Sequence, residues 1–104
     1  MNENLKLEVN GEDMTITLKG RISALVTDAI TQEVIGRLEG VKHVYMDIRD
    51  VDYISSAGLR FILIVQNEID DIDGGSLKVS SASDMVMSVL ESTGFLNFLD
   101  IEER

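Results

Sequence analysis

The chain contains no cysteine, no proline and no tryptophan, and it has a single histidine. Without cysteine, disulfides, thiol catalysis and every thiolate metal site are excluded, and one histidine leaves too few ligands for a zinc or haem centre. Basic residues are scarce as well: nine Lys and Arg stand against nineteen Asp and Glu, for a net charge of −10. Such a chain repels nucleic-acid phosphates and anionic lipid headgroups alike, which argues against a nucleic-acid partner and against direct membrane binding. Long apolar runs are missing; Phe61 to Val65 is the longest, far below the roughly 18 residues of a membrane span. Met1 to Asn10 lacks the basic start and apolar block of a secretory signal. A soluble, cytoplasmic protein is the expectation. With 44% hydrophobic and 27% charged residues the chain should fold, and with no repeat, proline linker or low-complexity tract to divide it, one domain over residues 1–104 is expected.

What is present is periodicity. Leu5, Leu7 and Val9 alternate with Lys6 and Glu8, and Met14, Ile16 and Leu18 alternate with Thr15, Thr17 and Lys19, the period of two expected of half-buried strands. Asn10 to Asp13 reads as the turn of a hairpin, and Gly20 as the end of its second strand. Val26, Ile30, Val34 and Leu38 then fall four apart, which predicts a helix over Ala24 to Leu38, weakened by Gly36 and capped by Gly40. Val44, Met46 and Ile48 predict a third strand, with Arg49 to Asp52 as a polar connection. Leu59 to Ile69 suits a strand by its bulky apolar run, but its length and the preceding Ser55-Ser56 favour a capped helix. Asp70 to Gly75 is a turn, Leu77 to Val79 a short strand, and Asp84 to Glu91 a short helix opened by Ser83 and stopped near Gly94. Strands alternating with helices after a hairpin imply an α/β domain: a mixed, mostly parallel sheet with helices packed on it.

Few residues suggest catalysis. Ser55 or Ser56 at a strand-to-helix turn is superficially like a nucleophile elbow, yet there is no Gly-x-Ser-x-Gly, and the only candidate base, His43, falls in or just before a strand. Asp47, Asp50 and Asp52 cluster at the end of the third strand, where ligands of open parallel sheets bind. A solvated acidic loop explains them better than a magnesium site, because no phosphate cradle accompanies them. The composition therefore predicts no catalytic residue, no metal, no cofactor and no enzyme.

One motif stands out. Asp47-Ile48-Arg49-Asp50-Val51-Asp52-Tyr53-Ile54-Ser55-Ser56-Ala57-Gly58-Leu59-Arg60 resembles the signature of the STAS family, the bacterial anti-sigma factor antagonists. In that family a strand ending in Asp leads through a short loop to a Ser or Thr, followed one residue later by Gly-Leu at the start of a helix. The order of elements and Leu18-Lys19-Gly20-Arg21-Ile22 are similar to the family's as well. The resemblance implies phosphorylation at Ser56, with Ser55 as the alternative because it stands where the family often has Asp; Ser23 likewise replaces an Asp common after the second strand. It implies partner switching in transcription regulation: the unmodified protein binds an anti-sigma factor with serine kinase activity and so frees a sigma factor. Phosphorylation then releases it, and a serine phosphatase restores it. A soluble STAS subunit of a membrane transport complex is the alternative, since it would share fold and motif.

The expected partner surface comprises Arg21, Asp50, Asp52, Tyr53, Ser55, Ser56, Ala57, Gly58, Leu59 and Arg60, with exposed Tyr53 or Leu59 as apolar anchor. The expected core sets Leu7, Ile16, Leu18, Val44, Met46, Ile48, Leu77 and Val79 of the sheet against Ile30, Val34, Ile62 and Leu63 of the helices.

Overall fold

A computed structural model describes residues 3–102. The opening hairpin is there: β1 (Leu5–Asn10) pairs antiparallel with β2 (Asp13–Ile22), with Leu7 opposite Ile16. Helix α1 (Ala24–Ile35) returns the chain to β3 (His43–Ile54), which pairs parallel with β2, and α2 (Ser56–Asp70) leads to β4 (Ser76–Ser80), parallel to β3. Helix α3 (Asp84–Ser92) and a single 3₁₀ turn, Phe95–Asn97, precede β5 (Ile101–Glu102), parallel to β4. The five strands lie in the order β1-β2-β3-β4-β5, so the mixed, mostly parallel sheet is as expected. The last strand was not foreseen; two residues carry no periodicity to read.

Period-two alternation places Met14, Ile16 and Leu18 of β2, Val44, Met46 and Ile48 of β3, and Leu77 and Val79 of β4 in the core. Helices α1 and α2 pack against each other and supply Ile30, Val34, Phe61, Ile62, Val65 and Ile69. The apolar run at Phe61 to Val65 is thus helical, and helical spacing splits it: Phe61, Ile62 and Val65 are buried while Leu63 is 37% exposed. Leu63 is therefore not the core residue expected, and Leu7, on the outer strand, is only half-buried.

Three boundaries differ from expectation. Helix α1 stops at Ile35 with Gly36 as its C-cap, so Gly40, at φ +82°, belongs to the following turn and caps nothing. Gly20 does not end β2; at φ +76° it sits inside the strand, between register shifts that let β2 continue to Ile22. Arg49 to Asp52 is strand, not connection, because β3 runs on to Ile54 beside β2. The irregular register turns the buried positions from every second residue to every third, Ile48, Val51 and Ile54. That spacing hides a strand from a reading that looks for alternation.

Candidate functional site

The extension of β2 and β3 brings the ends of both strands to the start of α2. The backbone N–H of Ser55 donates to the carbonyl of Ile22 at 2.9 Å, tying the helix start to the last residue of β2. Ser55 is the N-cap, in extended conformation, and its hydroxyl accepts from the Gly58 N–H at 3.2 Å. Ser56 is the first helical residue and is exposed. The two adjacent hydroxyls thus have separate roles: one is held by the helix, the other faces solvent.

Gly58 is buried against the strand ends. A Cβ there would lie 2.7 Å from Cγ1 of Ile54, closer than real packing admits, and 3.1 Å from Cγ2 of Ile22, a tight contact. The first turn of α2 can sit on β2 and β3 because this position carries no side chain. Leu59 is buried too, at 7% exposure, and so is not the exposed anchor expected, whereas Tyr53 is 39% exposed. Arg21 and Tyr53 are register partners, and the Arg21 guanidinium carbon stands 4.1 Å from the centre of the Tyr53 ring. Arg60, exposed, is one helical turn beyond Ser56 and shares its face.

The acidic residues do not converge. Asp50 lies opposite Lys19 in a groove with Asn4 and Gly20, and Asp52 is exposed between Val51 and Tyr53. Asp47 has its own partners: its carboxylate accepts from the Arg49 backbone N–H at 3.1 Å and side chain at 3.2 Å, and its Oδ1 lies 3.2 Å from the hydroxyl of buried Ser80. Burial raises the Asp47 pKa, but the Arg49 hydrogen bonds and charge, with Ser80, outweigh it and leave the carboxyl below its usual value. Among the described residues no three His, Asp or Glu side chains are placed to hold a metal ion, and no helix is long and apolar enough to cross a membrane. His43 opens β3, with Nδ1 3.1 Å from the Ser76 hydroxyl.

Two further residues on this edge were not foreseen. Because α1, α2 and α3 follow β2, β3 and β4, their first turns all lie at the carboxyl ends of the parallel strands. Leu25 in α1 is 89% exposed and Met85 in α3 is 65% exposed. For Leu25 the signal was present, since it lies off the stripe through Val26, Ile30 and Val34. For Met85 no such signal was read, and the buried residues of α3, Val86 and Leu90, leave it outside the packed face.

A family model described as the STAS domain matches residues 4–104. The anti-sigma-B factor antagonist of Bacillus subtilis (strain 168) is 23% identical over 104 residues, spanning 100% of this chain and 94% of that protein. The solved structure of the anti-sigma factor antagonist SpoIIAA in its unphosphorylated form matches with a TM-score of 0.83 at 17% identity, over 96% of this chain and 87% of that one. That of the Bacillus cell fate determinant SpoIIAA in the phosphorylated form matches with a TM-score of 0.76 at 16% identity, over 96% and 90%. At these identities the two structures speak for the fold.

Proposed function

The chain belongs to the STAS domain family, and from that membership we propose that it is an anti-sigma factor antagonist of the cytoplasm. It binds an anti-sigma factor with serine kinase activity through the edge built from Arg21, Tyr53 and the first turn of α2, and it is switched off when that kinase phosphorylates Ser56. A serine phosphatase resets it. The relative from Bacillus subtilis is named as an antagonist over its near-full length, and a structural neighbour is described in a phosphorylated form; both support the reading.

The observation that carries it is the division of labour at Ser55 and Ser56. The Ser55 hydroxyl is engaged in capping the helix, accepting from the Gly58 N–H. The Ser56 hydroxyl is exposed on the first turn of a helix, where a phosphate gains from the helix dipole. The chain itself acts as ligand and substrate, not as an enzyme. Capture of the protein with its partners from native lysate, read by mass spectrometry, tests the class. Recovery of a kinase-like anti-sigma factor is the expected result, and recovery of permease subunits would replace it with the transport-complex reading.

A further inference from the structure

Strand β1 is the outer strand of the sheet, paired to β2 along one edge. Asn4 accepts a backbone hydrogen bond from the Lys19 N–H at 3.0 Å, which makes Asn4 and Lys19 a hydrogen-bonded pair of the antiparallel ladder. The alternation of such ladders then turns the N–H and C=O groups of Lys6 and Glu8 toward β2 and those of Leu5, Leu7 and Val9 toward the free edge. Natural edges are blunted by proline, bulges or repelling charges. This one has neither proline nor a register break over Leu5 to Asn10, and its charges, Lys6 and Glu8, are of opposite sign and form an exposed pair at 3.6 Å within the chain.

We propose that the β1 edge pairs antiparallel with the β1 edge of a second copy of this chain, about a two-fold axis at Leu7. Bonds form only in registers that join outward-facing residues to outward-facing residues, and those that engage at least two of Leu5, Leu7 and Val9 place the axis at Lys6, Leu7 or Glu8. An axis at Lys6 sets Lys6 against its own copy, and one at Glu8 sets Glu8 against its own copy; like charges directly opposite are destabilising. The axis at Leu7 sets each Lys6 opposite the other chain's Glu8, and each Leu5 opposite the other chain's Val9. Charge complementarity therefore selects one register. It also brings together an apolar row that one chain leaves incomplete, since Leu5 and Leu7 are half-buried and Val9 is 37% exposed. This pairing depends on the sheet edge and not on Ser56, so it stands or falls separately from the proposed function.

Sedimentation equilibrium from micromolar to millimolar protein tests it, in about 0.1 M salt so that the −10 charge of each copy is screened beyond roughly 10 Å. The mass is expected to rise toward twice the 11.5 kDa of one chain. Lys6→Glu alone or Glu8→Lys alone should weaken association about tenfold, and the double swap should restore it. Circular dichroism confirms that each variant folds. Amide exchange identifies the edge: Leu5, Leu7 and Val9 should slow with concentration, whereas Lys6 and Glu8 are protected at every concentration. A mass that stays at one chain throughout, or association indifferent to the single reversals, would overturn the proposal.

Discussion

The hydroxyls of Ser55 and Ser56 are neighbours in sequence and differ in what holds them, and this difference is measurable. Ser55→Ala removes the bond to the Gly58 N–H and should cost about 0.5–2 kcal/mol, whereas Ser56→Ala should melt within about 0.5 kcal/mol of wild type, as surface changes do; chemical denaturation checks both. Gly58→Ala sets helix propensity, a gain of about 1 kcal/mol, against overpacking on Ile54 and Ile22, a cost of about 1–3 kcal/mol. A net loss of stability is expected, and a gain would show that the strand ends yield. Asp47 adds a dependence on pH. Its native pKa is lowered from 3.8, so its contribution is present above that usual value and is lost as pH falls through the native one. Asp47→Asn should therefore flatten the acid limb of stability against pH, and an unchanged acid limb would mean that Arg49 and Ser80 do not hold the carboxylate.

At the scale of elements, the parallel strands and the helices on them set what a mutation costs. Ile48→Ala or Met46→Ala, fully buried in β3, should lose about 2–5 kcal/mol. Leu63→Ala, on the outward side of α2, should lose far less, and equal losses would contradict the assigned face of the helix. The strands Leu5 to Val9, Met14 to Leu18 and Val44 to Ile48 were legible because apolar and polar residues alternate along each. Helix α2 was legible because Ser55 opens a segment too long for a strand. What was hidden is instructive: beyond Leu18 and Ile48, register shifts replace alternation, so the ends of β2 and β3 read as loops although they build the site. Leu59 was mistaken for an exposed anchor because burial at the first turn of α2 depends on Gly58 drawing the helix onto the strands, a contact between segments far apart in sequence. Ser56 itself was legible from its motif, but its separation from Ser55 required the cap geometry.

At the scale of the whole molecule, the proposed switch asks how a single phosphate changes binding without unfolding a chain of 104 residues. A phosphate adds about −1.5 to −2 charges. On the free protein it would gain roughly 0.3–1 kcal/mol from the dipole of α2, with Arg60 one turn away, against the repulsion of a strongly acidic chain. These effects are small and opposed, so fold and melting temperature should barely move. In a docked complex the same charge must be desolvated, and an unpaired buried charge costs about 3–5 kcal/mol. Reversing Arg21, Asp52 and Arg60 together should likewise weaken partner binding while leaving the melting temperature near wild type, and unaltered affinity would move the surface elsewhere. The most direct measurement is the affinity of the cognate anti-sigma factor for the protein before and after stoichiometric phosphorylation, by titration calorimetry, with the modified residue mapped and the melting temperature recorded on the same samples. The account predicts phosphate on Ser56, a loss of about a hundredfold or more in affinity and an unchanged melting temperature; equal affinity, or phosphate on Ser55, would contradict it.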